Sequence, residues 1–409
     1  MAWKLGKSPK LSELFIAPGN AGTAEVGTNV NIGVDDHDDL IAYASEEKID
    51  LVVVAPDQPI VDGLCDRLRS AGITTFGPSA AAARIEGSKI WSDDLMTKYG
   101  IPTAESEAFT SSGSAMEYGR SKPEGSLVVK ADGLAAGKGV ILPDTYADLD
   151  SAITGMLDDA VFGESSSSIL LAERMSGPEV SVFAFVDGEH VSAEIPSCDY
   201  KRIGEGDVGL NTGGMGAYGP PEFWTAELAA KVRREILEPA AAALVKENSS
   251  FSGVIYAGLM ITESGPRVIE FNCRFGDPET QILMPMLESD MLEICLAVAE
   301  NRLDNETVQW SSDPHTFVVA VSDGYPGSYP TGVEIEGICA AADHGVVFHA
   351  GTKRYENGVL ITSGGRVLGV VGTGKTIQES RKTAYAGIDE ISFEGMRFRT
   401  DIAERAIQD

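Results

Sequence analysis

A polar loop that directly follows an apolar strand places the tightest constraint on how this chain can fold. Pro266–Ile269 ends in two β-branched residues and leads into Glu270–Gln281, which reads EFNCRFGDPETQ. Glu270 and Asn272 are two residues apart, so a strand would direct both side chains to one face. A carboxylate and an amide on one face suit a hard cation such as Mg²⁺, whose shell substrate phosphates often complete. The alternative interpretation is a strand that ends in a charged surface turn.

The first 85 residues alternate between strand and helix patterns. The strand patterns are Leu14–Ala17, Leu51–Ala55 and Thr74–Phe76, and the helix patterns are Asp36–Lys48, Asp62–Ala71 and 79–85. That order predicts a parallel, doubly wound sheet. The chain starts in a helix-like segment, Ala2–Ser8, where such a domain normally has a strand and a glycine-rich turn. We therefore expect residues 1–80 to be weakly stable.

A glycine-rich segment between two strand patterns is the strongest candidate for binding phosphate. Lys130–Val140 reads KADGLAAGKGV, so its small residues let the backbone approach a polyphosphate while two lysines supply positive charge. A strand follows it and no Ser or Thr follows Lys138, so it is not a Walker A motif. The alternative is a flexible surface hairpin.

A second segment matches the Walker A pattern in full but has the wrong context. Gly369–Thr376 reads GVVGTGKT, and its first residues continue the strand pattern Arg366–Val371. Thr376 and Glu379 form a T-x-x-E capping box that predicts the start of a helix. We expect no nucleotide site here.

Two further segments lie between strand patterns. Glu173–Ser181 places two carboxylates around a glycine turn, which suits a purine edge and ribose hydroxyls but is also typical of a plain hairpin. Asp199–Pro220 is a long glycine-rich stretch, and loops of this length inside a domain are usually functional or disordered.

Composition excludes several classes of protein. The net charge of -30 argues against a nucleic-acid partner, because phosphate binding needs basic surface. No apolar run is long enough to span a bilayer. Five scattered cysteines without a CxxC pair indicate a reducing compartment and no zinc site. The acidic excess suits either a salty cytoplasm, in which salt screens self-repulsion, or an ordinary acidic protein.

Together the motifs resemble one protein family. Lys89, Lys130, the 132–140 loop, Glu173 with Glu179, and Glu270 with Asn272 occur in the order of an ATP-grasp ligase. Within that superfamily the chain resembles the glycinamide ribonucleotide synthetases (phosphoribosylamine–glycine ligases). The stretches that carry this resemblance are EGSK (Glu86–Lys89), NTGGMGAY (Asn211–Tyr218), EFNCRFGDPETQ, KADGLAAGKGV, APGNAGT (Ala17–Thr23), GYPGSYPTG (Gly324–Gly332), HAGTK (His349–Lys353) and GGRVL (Gly364–Leu368).

The resemblance implies a cytoplasmic, monomeric enzyme of de novo purine biosynthesis with ATP and Mg²⁺ (or Mn²⁺) as cofactors. It would join glycine to 5-phosphoribosylamine through glycyl phosphate, giving ADP and phosphate. The implied metal ligands are Glu270 and Asn272, and the implied catalytic residues are Arg274 and Lys138. The implied ATP-binding residues are Lys89, Lys130, Asp132, Gly133, Gly137, Lys138, Gly139, Glu173 and Glu179. The implied acceptor-binding residues are Asn211, Thr212, Gly213, Asp199, Lys201 and Asp277.

The resemblance also implies a multidomain α/β and α+β fold. We expect a truncated Rossmann-like domain at 1–88, an ATP-grasp core at 89–312 with a mobile lid at about 107–175, and a β-rich domain at 313–409. The family's opening strand and G-x-G-G-R-E-H turn do not precede Met1. Asp57, Tyr200 and Leu210 replace a usual glutamate, histidine and proline. These three changes are modest, but the missing strand and turn would remove part of a substrate site, so we expect poor phosphoribosylamine binding. The alternatives are another ATP-grasp carboxylate–amine ligase, or an ATP-binding but catalytically impaired variant.

Overall fold

The computed structural model describes residues 1–135 and 139–407. Within those two ranges, none of the helices combines the length and the apolar character needed to cross a bilayer. The architecture mixes α/β and α+β parts, as the sequence predicts.

The N-terminal segment pairs its short strands in parallel. Strand β1 pairs with β2, and β3 pairs with β4. The predicted parallel pairing is therefore confirmed, but the described strands form two separate pairs instead of one continuous sheet. The elements are α1 (Ala2–Leu5), β1 (Phe15–Ile16), β2 (Thr28–Asn29), α2 (His37–Glu46), β3 (Val52–Val53), α3 (Asp57–Val61), α4 (Leu64–Ser70), β4 (Thr75–Phe76) and α5 (Ala80–Gly87).

Residues 106–173 form a small body that we call the lid, attached after α6 (Lys89–Tyr99). Its four antiparallel strands lie in the order β5-β8-β6-β7. Val129, Ile153 and Leu171 belong to a buried apolar cluster of its own, separate from the main core. The elements are β5 (Ser106–Phe109), α7 (Ser112–Arg120), β6 (Leu127–Ala131), β7 (Val140–Ile141), α8 (Tyr146–Leu157) and β8 (Ile169–Glu173).

A nine-stranded sheet forms the floor of the molecule, in the order β16-β15-β9-β11-β14-β17-β21-β18, with β10 paired to β9. β14 pairs with β17, so the sheet runs without interruption across the boundary expected at residue 313. The strands from here on are β9 (Glu179–Asp187), β10 (His190–Val191), β11 (Ile195–Asp199), β12 (Arg202–Gly204), β13 (Val208–Asn211), β14 (Gly216–Gly219), β15 (Ser252–Thr262), β16 (Gly265–Asn272), β17 (His315–Val321), β18 (Val346–His349), β19 (Thr352–Arg354), β20 (Leu360–Thr362) and β21 (Arg366–Thr373).

Helices cover this sheet and bury its apolar side chains in one large core. A π-helical turn, Arg233–Leu237, lies between two of them. The helices are α9 (Ala226–Val232), α10 (Glu238–Lys246), α11 (Glu279–Met286), α12 (Met291–Ala299), α13 (Ile338–Ala342) and α14 (Ile377–Ile388).

The Walker-like segment is a strand followed by a capped helix, as predicted. β21 runs to Thr373, and the Thr376 hydroxyl accepts the Glu379 N–H at 3.2 Å at the start of α14. The Glu379 carboxylate accepts the Lys375 N–H at 2.7 Å, and Lys375 Nζ lies 2.7 Å from Asp313. Too little loop is left here to wrap a phosphate.

Candidate active site

Three neighbouring strands carry the centre of the site on one face of the floor. Glu270 on β16 pairs with Gly258 on β15, and Gly258 in turn pairs with Ser181 on β9. Two residues further along β16, Asn272 pairs with Tyr256 of β15. Residues opposite one another in an antiparallel ladder share a face. The side chains of Glu270, Asn272, Tyr256 and Ser181 therefore point the same way.

Glu270 and Asn272 offer free oxygen ligands. Glu270 is half-buried and Asn272 is buried, and within the described chain neither side chain makes a hydrogen bond or an ion pair. Burial alone would raise the pKa of Glu270, but nearby cations, chiefly Lys89, Lys201 and Lys130, together hold it below its usual value. The ionised carboxylate fits a divalent cation.

The number of ligands also fits such a cation. Among the described residues, no three His, Cys, Asp or Glu side chains lie close enough to form an all-protein metal site. A cation bound by Glu270 and Asn272 therefore needs water or phosphate oxygens to complete its shell, which is how Mg²⁺ is usually held.

Two lysines lie near Glu270, one on the lid and one at the start of α6. Lys130, on β6 of the lid, is buried and donates to the Ile269 carbonyl at 2.8 Å. Burial lowers the pKa of Lys130, an effect that Glu270 opposes. Lys89, at the first turn of α6, donates to the Gly133 carbonyl at 2.9 Å. The lysines thus place positive charge between lid and floor.

The glycine loop of the lid is tied to the start of α6. Asp132 accepts the Ser88 hydroxyl at 3.0 Å and the Ile90 N–H at 3.1 Å, so its carboxylate holds the helix start. Gly133 has a φ of +115°, which favours glycine. Gly139 begins the return towards β7. Gly137 and Lys138, which the sequence also assigns to this loop, lie outside the described residues.

The two carboxylates predicted near adenine and ribose stand on either side of the lid–floor junction. Glu173 forms a bidentate pair with Arg267 at 2.7 and 3.2 Å, and this bonding lowers the pKa of Glu173. Glu179 begins β9 and lies 3.4 Å from Lys201. The backbone between them crosses from lid to floor.

The predicted acceptor residues cluster where β11 ends. Asp199 is mostly buried and lies 3.9 Å from Lys201 Nζ. Burial raises the pKa of Asp199, while Asp199 in turn holds the pKa of Lys201 well above its usual value. Asn211 ends β13, and the Thr212 N–H and hydroxyl both bond to the Lys201 carbonyl at 2.8 Å.

A group of C-terminal residues, Arg399, Asp401 and Arg405, clamps the segment that carries these acceptor residues. The Arg399 guanidinium is only 2% exposed and donates to the Arg202 carbonyl at 3.0 Å. Arg405 donates to the Asp199 carbonyl at 3.2 Å. We call this group the C-terminal clamp, and it fixes the backbone on both sides of Lys201.

The loop after the metal ligands joins three parts of the molecule. Arg274 bonds to Glu86 of α5 at 2.8 Å and lies 3.5 Å from Asp57. Asp277 forms a bidentate pair with Arg366 of β21 at 2.6 and 3.0 Å. The loop is thereby fixed to the N-terminal segment and to the far side of the sheet.

Sequence reasoning missed several of these partners. Arg366 also donates to the Gly213 carbonyl at 2.6 Å, so one guanidinium holds two predicted acceptor segments together. The GGRVL string that contains it does not indicate this role. Glu86 and Arg267 likewise carry no local signal of their roles, because their partners are distant in sequence.

The fold and this site define an ATP-grasp enzyme, with lysines from the lid and from α6 above a floor that presents a carboxylate and an amide. The sequence matches the N domain, the ATP-grasp (A) domain and the C domain of phosphoribosylglycinamide synthetase at residues 1–86, 87–280 and 315–405. The chain belongs to the phosphoribosylglycinamide synthetase family and is a ligase.

Individual relatives agree with this assignment. The phosphoribosylamine–glycine ligase of Salmonella typhimurium is 45% identical over 412 residues, covering 100% of this chain and 96% of that protein. The crystal structure of the same enzyme from Thermotoga maritima has a TM-score of 0.84 and 31% identity, covering 98% of this chain and 96% of that one.

A more distant structure shares the fold alone. The biotin carboxylase domain of Hydrogenobacter thermophilus 2-oxoglutarate carboxylase, crystallised with MgADP, has a TM-score of 0.71 at 12% identity. It covers 100% of this chain and 95% of that one. The use of ATP follows from the match to the ATP-grasp (A) domain.

Proposed function

We propose that this chain joins glycine to 5-phosphoribosylamine with hydrolysis of ATP to ADP and phosphate, as a step of purine biosynthesis. The observation that carries the proposal is the joint placement of Glu270 and Asn272 beside Lys89 and Lys130, with the acceptor cluster on the same floor. Membership of a family whose curated members carry this name supports the choice of substrates.

The roles of the residues follow from their positions. Glu270 and Asn272 would hold Mg²⁺ or Mn²⁺, which supplies charge neutralisation on the transferring phosphoryl group when bound. Lys89, Lys130 and the loop with Gly133, Gly137, Lys138 and Gly139 would bind the phosphates of ATP. Asp132 would orient that loop through its bonds to α6.

The nucleoside would lie at the junction between lid and floor, with adenine against the backbone near Glu173 and ribose hydroxyls at Glu179. Arg274 and Lys138 would stabilise negative charge as the glycine carboxylate attacks the γ-phosphate. The acceptor would lie against Asp199, Lys201, Asn211, Thr212, Gly213 and Asp277.

We also propose the three-part division at residues 88 and 312, with the lid at about 107–175, for a cytoplasmic monomer. The cysteines support a reducing compartment, since all five are free and four of them are buried. The net charge of -30 supports small-molecule substrates and no nucleic-acid partner.

The proposal is tested by measuring ADP release with each substrate omitted in turn. We expect release to require both glycine and phosphoribosylamine, and Glu270→Gln to remove most of it. Glu263→Gln, an exposed carboxylate in the turn before the same strand, is the matched control and should keep full activity. Equal turnover with an unrelated amine, or ADP release that ignores glycine, would contradict the proposal.

A further inference from the structure

A buried carboxyl group lies next to the site and takes part in none of the metal, ATP or acceptor contacts. Glu279 is the first residue of α11 and is only 3% exposed. Its Oε1 accepts the Tyr256 hydroxyl at 2.9 Å and the Ser181 hydroxyl at 3.2 Å, and those two hydroxyl oxygens are 2.8 Å apart. We call Glu279, Tyr256 and Ser181 the hydroxyl–carboxyl cluster.

Glu279 differs from three other carboxylates near the site. Glu86, Glu173 and Asp277 each form an ion pair with an arginine. Glu279 has no cation within ion-pair distance among the residues that the structure describes, and its partners are two neutral hydroxyls. A buried carboxylate without a cation is costly, so its retention needs a reason other than stability.

The cluster belongs to the face that carries the metal ligands. Tyr256 pairs in register with Asn272, and Ser181 lies two strands from Glu270 in the same row. That spacing is about 10 Å, because neighbouring strands lie about 4.8 Å apart. Ser181 also pairs with Ser197 on β11, two residues before Asp199. The cluster therefore lies between the metal ligands and the acceptor residues.

Its electrostatic surroundings favour uptake of a proton near neutral pH. Burial, followed by Asp199, raises the pKa of Glu279 to about 7, while Lys201 and the Tyr256 hydroxyl oppose that rise. These groups are the ionisable side chains that act on Glu279 from β11, the segment after it and β15. Proton acceptors work best when their pKa lies near the working pH.

We infer that Glu279, acting through the Tyr256 hydroxyl, takes the proton that the acceptor amine releases during amide formation. The amine nitrogen forms a bond to the carbonyl carbon of glycyl phosphate, and the bond from that carbon to the phosphate oxygen breaks. Phosphate leaves with the electron pair. The nitrogen gives its proton to the Tyr256 oxygen as the Tyr256 proton passes to the Glu279 carboxylate. The inference rests on the proposed function.

The test follows one turnover of the intact chain with ATP, glycine and phosphoribosylamine. Quenched samples are assayed separately for ADP, which reports the first step, and for the amide product. In Glu279→Gln the amide side chain keeps an acceptor for both hydroxyls but cannot take a proton. We expect ADP to form at the unchanged rate and the amide about 100-fold more slowly, the low end of the usual effect of an acid–base group.

The pH profile gives a second readout that a purely structural role would not move. Because the carboxylate form is required, the wild-type rate of amide formation should fall as the pH drops below about 7. That acidic decline should disappear in Glu279→Gln. The Glu263→Gln control should keep both rates and the decline.

The outcomes separate the two proposals. Equal slowing of ADP and amide formation in Glu279→Gln would show that Glu279 only holds the loop before α11, and would overturn the inference. Unchanged amide formation would overturn it as well. If wild-type ADP formation does not need glycine, the proposed function fails, and the inference fails with it.

Discussion

Replacing Arg399 in the C-terminal clamp by methionine should destabilise the protein and loosen the acceptor segment. Methionine keeps much of the length and volume of the buried side chain but removes every hydrogen bond. Arg399 forms a bidentate pair with Asp401 at 2.6 and 2.7 Å and also bonds to Asp207 at 2.8 Å. It further packs 4.7 Å above the ring of Tyr200.

The expected loss follows from the burial of each partner. Breaking a buried ion pair by removing one partner costs about 3–5 kcal/mol, because it leaves an uncompensated buried charge. Asp401 is 16% exposed and falls under this case, whereas Asp207 is 45% exposed and adds little. We therefore expect a loss of about 3 kcal/mol in the free energy of unfolding of the unit that contains the clamp.

Arg397→Met is the matched control two residues earlier. Arg397 pairs with Asp323 at 2.6 Å, but the two side chains are 69% and 54% exposed. Such exposed pairs contribute less than about 1 kcal/mol. The two variants should therefore differ clearly in denaturant midpoint, and only Arg399→Met should raise the KM for phosphoribosylamine.

Equal midpoints for the two variants would refute the argument from burial. An unchanged KM in a clearly destabilised Arg399→Met would refute the link between the clamp and the acceptor segment. The double variant Arg399→Met/Asp401→Asn should recover part of the stability, because it removes the uncompensated charge.

Three further outcomes are expected. In an ATP titration, Lys375→Ala should leave the affinity unchanged, whereas Lys130→Ala should weaken it. A large loss of affinity in Lys375→Ala would indicate that the Walker-like segment binds nucleotide. The melting temperature should rise between low and molar salt, because salt screens the repulsion within a chain of net charge -30. A melting temperature that does not change with salt would contradict the interpretation that the acidic surface is adapted to a salty cytoplasm. Gly276→Ala should slow amide formation as Glu279→Gln does, because an added Cβ would stand 2.5 Å from Glu279 Oε2. If this variant forms the amide at the wild-type rate, the Glu279 carboxylate can shift without any loss of activity.

The metal ligands on the floor of the site could be predicted from the sequence because they depend only on local spacing. Glu270 and Asn272 are two residues apart on one strand, so the two-residue period of a strand places them on one face without knowledge of the fold. The strand–loop–strand pattern of the lid and the helix start at Thr376 were predictable for the same reason, since each depends on a few consecutive residues.

Partners that are distant in sequence were not predictable. The Asp277–Arg366 pair joins residues 89 positions apart, and the hydroxyl–carboxyl cluster draws its members from three elements. The parallel pairing of β1 with β2 and β3 with β4 followed from the order of elements, but their separation into two pairs did not. The sequence predicts that Asp132 belongs to the glycine loop, but only the folded structure shows that it holds the start of α6.

The uninterrupted floor determines which parts of the molecule can move. One ladder of backbone hydrogen bonds runs from the strand of Glu270 to the strand of Arg366, so separating the two sides would break paired strands. The lid has its own core, and its chain enters at Ser106 and leaves at Glu173. We therefore expect any opening to be one-sided, with the lid and its Lys130 moving while the metal ligands and the acceptor residues keep a fixed separation. Such an opening would let nucleotide exchange without disturbing the surface on which the amide is formed.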